Sequence, residues 1–178
     1  MTPTSHQWQT EASGDAKLNL QVVVRPRTDK GQTEPDTGIG VIMKLWALGA
    51  KVEDVDREVG FLTSLGGRLV LDEVLPFDNK GYRLPLVRFG DKYLHVGEAM
   101  VYEDRLPEPL GRGFCHVVMK VADLAPARHA ALENGATEVV PVARIDAQFG
   151  VREVAFLRSP GGLLIELAEM SEQRVPEV

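Results

Sequence analysis

Hydrophobic positions along the chain fall into short alternating runs broken by two stretches of helical spacing. Leu18, Leu20, Val22 and Val24 alternate with Asn19, Gln21, Val23 and Arg25, and this two-residue period predicts a strand over 18–25. The sixteen residues at the start are polar, small and aperiodic, and residues 27–40 return to Thr, Asp, Gly, Pro and Gln, which predicts a loop. From Val41 onward the pattern repeats. Laying Val41–Gly67 over Leu110–Ala136, an offset of 69, puts Val52 on Val121, Asp54 on Asp123 and Gly66 on Gly135. Each copy reads as an apolar strand, an aspartate suited to an N-cap, an amphipathic helix and a glycine. Val55, Val59, Leu62 and Leu65 mark the first helical face, and Leu124, Ala127, Ala131 and Leu132 the second, predicting helices over 55–65 and 124–134.

About 30 strand-like residues with turn signals follow each helix: Arg68–Val74, Arg83–Phe89 and Tyr93–Ala99 in the first copy, Thr137–Val142, Val151–Arg158 and Leu163–Ala168 in the second. Each copy therefore reads as β-α-β-β-β. The division that follows is a tail over 1–40 with the extra strand and loop, a first module over 41–109, a second over 110–170 and a short tail over 171–178. The fold class is α+β, with two tandem βαβββ modules forming a curved, mostly antiparallel sheet around a concave site, plus the N-terminal strand.

Alternation also sorts side chains by face. Cys115, Val117, Met119 and Val121 form an apolar face suited to lie under the second helix, which turns His116 to the concave side. In the last strand Leu163, Ile165 and Leu167 oppose Leu164, Glu166 and Ala168, so Glu166 shares that side. In the first copy the residue matching His116 is Ala47. Shortening the turn before the last strand by two residues sets His95 on Glu166, and Glu98 is the alternative first-module donor if a bulge shifts the register. Trp46 is expected beneath the first helix and Cys115 in the core. His129, on the second helix, and His6 are expected in solvent. The set facing the concave side is His95, His116 and Glu166, donors suited to a divalent metal.

Composition narrows the classes. Of 178 residues 44% are apolar, the net charge is −6 and no Lys/Arg cluster stands out, which argues against nucleic-acid or anionic-membrane partners. The single cysteine, Cys115, excludes an intrachain disulfide and fits a cytoplasmic setting. No apolar run approaches the ~20 residues of a membrane span.

The segments Val52-Glu53-Asp54-Val55-Asp56, Phe61-Leu62 and Leu65-Gly66-Gly67, then His116–Asp123, then Phe156–Leu167 with its Ser159-Pro160-Gly161-Gly162 turn ahead of Glu166, resemble the vicinal oxygen chelate superfamily over residues 41–170. That group includes glyoxalase I, extradiol dioxygenases, epimerases and bleomycin-resistance proteins. The resemblance implies one divalent ion (Zn, Ni, Co, Mn or Fe) on His95, His116 and Glu166, with Ala47 at the vacant fourth ligand position, and a homodimer. It implies a metal-dependent isomerase, epimerase or glyoxalase-type lyase acting on a small hydroxy-carbonyl substrate through an enediolate, with Glu166 as base. An Fe(II) ring-cleaving dioxygenase is an alternative, although the strand Val151–Arg158 carries no histidine or tyrosine. A non-enzymatic protein binding an antibiotic or other small molecule is another.

Overall fold

The computed structural model describes residues 43–177, so the expected strand at 18–25, the loop after it and His6 lie outside the described residues. The first repeat opens with β1 (Met43–Lys51) and α1 (Val55–Ser64), continues through β2 (Arg68–Leu71), β3 (Val74–Phe77), β4 (Lys80–Arg83) and β5 (Leu86–Phe89), and ends in β6 (Lys92–Gly97). A single 3-10 turn at Glu103–Arg105 leads to the second repeat: β7 (Gly113–Val121), α2 (Leu124–Glu133), β8 (Thr137–Ala147), β9 (Gly150–Arg158) and β10 (Leu164–Gln173). Eight strands form one sheet in the order β2-β5-β6-β1-β7-β10-β9-β8, while β3 and β4 form a separate hairpin. Neighbours run antiparallel except β1 with β6 and β7 with β10. Among the described residues no helix is long and apolar enough to cross a membrane.

The two helices start and stop by the same chemistry. Asp54 accepts a hydrogen bond from the Arg57 N–H at 3.0 Å, and Asp123 one from the Ala125 N–H at 3.1 Å. At the far ends Gly66 and Gly135 take φ of 96° and 87°. There the N–H groups of Gly66 and Gly67 reach back to Thr63 and Leu62 as those of Gly135 and Ala136 reach Leu132 and Ala131. Both are Schellman endings, which a residue with a Cβ closes at a cost.

The same offset governs how the repeats meet. In the β1–β7 pairing Leu48 faces Val117, while Ala47–Val118 and Gly49–His116 are mirror pairs, as are Lys44–Lys120 and Lys51–Gly113. A shift of 69 turns each pair into its mate, so a local twofold axis passes beside Leu48 and Val117. The pairing skips Trp46 on one strand and Cys115 on the other, at equivalent positions. Each is a bulge, and a bulge resets the face on which the preceding residues point.

These bulges overturn two sequence expectations. Trp46 does not sit beneath α1, and Cys115 does not face α2. Both pack with the concave cluster, where Trp46 stacks near Tyr93 and Phe149 at ring separations of 5.2 and 6.3 Å. The helix side of the second repeat is instead closed by Val121, Leu124, Ala127, Ala155, Leu157 and Leu167. A second correction concerns the region after α1. The strand expected over Arg68–Val74 ends at Leu71, and the chain leaves the main sheet for the hairpin β3–β4 before it returns in β5. Asp78 and Asn79 turn that hairpin with φ of 47° and 60°, the left-handed pair that two-residue hairpin turns favour. The last strand also runs past 170 to Gln173, and the chain after it is tied down by hydrogen bonds from the Arg174 N–H to Phe149 and from the Tyr93 hydroxyl to the Pro176 carbonyl.

Leu75, Phe77 and Tyr82 of the hairpin, with Met100, Val101 and Tyr102, cover the concave face. Ion pairs Lys80–Asp104 and Arg105–Asp78 link hairpin and 3-10 turn, and Lys51–Glu103 links that turn to β1. Burial rather than these surface pairs supplies the energy. Trp46→Ala should therefore cost about 3–5 kcal/mol, whereas Phe114→Ala, at a side chain 76% exposed, should stay within about 0.5 kcal/mol in denaturant unfolding.

Candidate active site

Strand pairing fixes the face of each candidate residue. Gly49 pairs with His95 on β6, and the equivalent Val118 pairs with Glu166 on β10. His95 and Glu166 thus hold matching positions in the two repeats, and the pairing carries the two-residue shortening of the turn before β6. His116 pairs with Gly49 from the other side. A Cβ on Gly49 would lie 1.9 Å from Cε1 of His116, so the absent side chain is the space in which the imidazole lies. Glu98 is exposed, beside the α1 cap Asp54 and the α1 residues Arg57 and Glu58, and does not join the cavity. His129 is exposed and pairs with Glu133.

The three side chains line one cavity of about 20 Å³, room for about one water. They are joined there by Arg152, Tyr102, Phe149 and Phe156. Glu166 is 2% exposed, His95 and Arg152 3%, and His116 8%. A chain of polar contacts crosses the cavity. The Tyr102 hydroxyl and His116 Nδ1 share a hydrogen bond at 3.0 Å. His116 Nε2 lies 3.5 Å from Glu166 Oε2, and Arg152 Nη2 lies 3.1 Å from Glu166 Oε1. The guanidinium also lies over Phe149 at 4.2 Å and near Trp46 at 5.4 Å, cation–π distances.

This polar cluster is only partly satisfied. Among the described residues both ring nitrogens of His95, Nε and Nη1 of Arg152, and Oε1 of Glu166 have no hydrogen-bond partner. The Arg152–Glu166 approach is an ion pair at contact distance without hydrogen-bond alignment. Unpaired buried polar atoms are costly and rare. Their convergence on one cavity marks a place built to receive a polar group.

Burial pushes the His95 imidazole down to about 3, and the Arg152 charge adds to the effect. Burial would lower His116 too, but Cys115 and Glu166 outweigh it and raise the ring to about 9. Burial resists ionisation of Glu166, yet Arg152 and His116 hold its carboxyl below the usual range. Burial pulls Arg152 down, opposed by Glu166 and by Glu73.

The sequence-derived set does not include Arg152, Tyr102 or Gly49. A signal for Arg152 exists, since it falls in phase with Val154 and Phe156 on the concave face of β9. Tyr102 lies outside the strands, where no periodicity assigns a face. Arg152 also alters the expectation of one divalent ion on His95, His116 and Glu166. A cation there would compete with the guanidinium for the same carboxylate and meet its charge. Among the described residues no group of three His, Cys, Asp or Glu side chains is spaced to hold a metal ion. As placed, the donors do not fit one.

No family model and no curated protein matches the sequence. Solved structures do match. A hypothetical protein BH1468 from Bacillus halodurans C-125 is 25% identical, with a TM-score of 0.57 over 75% of this chain and 99% of the other. A methylmalonyl-CoA epimerase in complex with methylmalonyl-CoA and NH4+ is 21% identical, with a TM-score of 0.59 over 75% of this chain and 99% of the other. A Streptomyces coelicolor methylmalonyl-CoA epimerase variant in complex with 2-nitronate-propionyl-CoA is 21% identical, with a TM-score of 0.57 over 71% and 96%. Likeness at this level establishes a common fold.

The two imidazoles give opposite pH dependences. His116, raised from 6.5 to about 9, contributes stability that is complete below pH 6.5 and lost as pH rises through about 9. His95, lowered from 6.5 to about 3, contributes stability that is complete above pH 6.5 and lost as pH falls towards 3. Unfolding free energy should peak near pH 6.5 and decline on each side by at most about 1.4 kcal/mol per pH unit per group. Urea unfolding at pH 5.5, 6.5 and 8.5 checks this, with His95→Gln flattening the acid limb and His116→Gln the alkaline limb.

Proposed function

We propose that the chain, whose fold is that of the vicinal oxygen chelate superfamily, catalyses an isomerase- or epimerase-type proton transfer next to the carbonyl of a small hydroxy-carbonyl compound. The observation that carries this reading is the buried Glu166 carboxylate, held ionised between His116 and Arg152 and facing a cavity lined by unsatisfied polar atoms. An ionised carboxylate in a dry cavity is a base within reach of a C–H proton. Glu166 takes that proton while the C–H electron pair forms a C=C bond and the carbonyl π pair moves to oxygen, giving an enolate or enediolate. Return of the proton from Glu166 to the neighbouring carbon isomerises the compound, and protonation of the original carbon by solvent on its other face epimerises it. His116, hydrogen-bonded to Tyr102 and facing Glu166, orients the carboxylate. No step is routed through a metal, because the donor set does not accommodate one beside Arg152.

Phe156, paired with Glu166 across β9 and β10, contributes an apolar wall and no proton-transfer group, which gives ring cleavage no support. A cavity with room for about one water also demands that the cover of hairpin and Met100–Tyr102 moves before a substrate reaches Glu166.

Glu166→Gln should reduce solvent-deuterium incorporation into hydroxyacetone or lactaldehyde by about 10²–10⁴-fold, while His129→Ala leaves it unchanged. Mass spectrometry of the recovered compounds reads this, and equal incorporation by wild type and Glu166→Gln would sink the proposal. A homodimer belongs to the same reading. Sedimentation of the purified chain at micromolar concentration should give twice the monomer mass, and a monomer would count against it.

A further inference from the structure

We propose that Arg152 is a built-in cation of this cavity and that, with His95, it binds the anionic oxygen of a carboxylate or enolate in the position where a metal would otherwise act. Three observations carry this. The guanidinium is 3% exposed and its one ion-pair partner among the described residues is Glu166, reached through Nη2 alone. Nε and Nη1 remain without partners, as do both nitrogens of His95 in the same cavity. Phe149 and Trp46 hold the guanidinium from the side, so it is positioned by packing as well as by charge.

The unpaired atoms select the ligand's sign. Arg152 offers only donors, and a neutral imidazole offers one donor and one acceptor. A cation would satisfy His95 and Glu166 but would leave Arg152 facing a second positive charge in a low-dielectric space. A neutral amide would match part of the donor set and forgo the charge-assisted bonds. An anionic oxygen accepts from Arg152 and from His95 together, and such bonds are the strong ones. The volume bounds the ligand, since about 20 Å³ holds about one water and a carboxylate enters only as the cover gives way.

The enolate part of this assignment rests on the proton-transfer reading above, whereas carboxylate binding stands without it. In that reaction Arg152 moves its contact from Glu166 Oε1 to the substrate's developing oxyanion. The carboxylate oxygen is then free to hold the abstracted proton while the guanidinium balances the new negative charge on the substrate oxygen.

Formate is the smallest carboxylate, and formamide is its neutral counterpart. In NMR titrations with ¹³C-labelled compounds, wild type should bind formate saturably and formamide at least tenfold more weakly. Arg152→Gln should weaken formate at least tenfold, and Arg152→Lys should retain part of the affinity. Because Arg152→Gln leaves Glu166 without its partner, the double variant Arg152→Gln/Glu166→Gln removes both charges together. It too should lose formate binding while keeping a cooperative thermal transition. Unchanged formate affinity in a folded Arg152→Gln or in the double variant overturns the assignment. So does one divalent ion retained per chain when purified wild type is dialysed against Zn²⁺ or Ni²⁺ and then buffer. These readouts use binding alone. Loss of formate affinity in the variants therefore supports the role of Arg152 whatever the deuterium exchange of Glu166→Gln shows.

Discussion

The buried pair of Arg152 and Glu166 is the interaction on which the concave side of this fold depends. Both charges lie out of water in an otherwise apolar cluster, and each would be costly there alone. Neighbours complete the arrangement. His116 approaches the other carboxylate oxygen, Tyr102 fixes the far nitrogen of that imidazole, and aromatic rings flank the guanidinium. Replacing the cluster with apolar residues of equal volume would make a simpler core. Its retention in partly satisfied form is what gives the cavity a chemical reading rather than a packing one.

The sheet brings these groups together through symmetry and its breaking. Each repeat's last strand lies beside its own first strand, β6 beside β1 and β10 beside β7, and the twofold-related β1–β7 pairing joins the two halves, so His95 and Glu166 come to equivalent positions. The sequence departs from that symmetry where function is carried. His116 stands opposite Ala47 in the repeat, and Gly49 opposite Val118. The first difference supplies the imidazole and the second makes the space for it. Matched bulges at Trp46 and Cys115 then turn both residues towards the concave side.

In the first repeat the stretches that match the outer ends of β8 and β9 leave the main sheet as the separate hairpin β3–β4. Hairpin β3–β4, with Met100 and Tyr102, closes over the concave face and reduces the expected cleft to a single small cavity. The cover is anchored in the core by Leu75 and Phe77 and pinned at the surface by exposed ion pairs, which are weak in water. Opening therefore mainly costs buried apolar area.

Much of this was legible in the residues alone, for a local reason. Capping aspartates, helix-ending glycines and strand alternation are short-range signals. Asp54 with Asp123 and Gly66 with Gly135 mark the repeat and the helices, and strand alternation assigns the faces of His116 and Glu166. The offset alone sets Glu166 on Gly97, and comparison of the turns Ser159–Gly162 and Gly90–Asp91 supplies the two-residue gap that sets it on His95. What the tertiary structure alone decided lies where local periodicity is interrupted or where partners come from distant segments. The bulges moved Trp46 and Cys115 across the sheet, because register is a property of two strands rather than one. Tyr102 reached His116 from an irregular segment with no face to assign. Arg152 showed its alternation, but its meaning depended on meeting Glu166 across β9 and β10. A search for metal donors passes over a cation, and only packing reveals that the cation stands beside the carboxylate a metal would need.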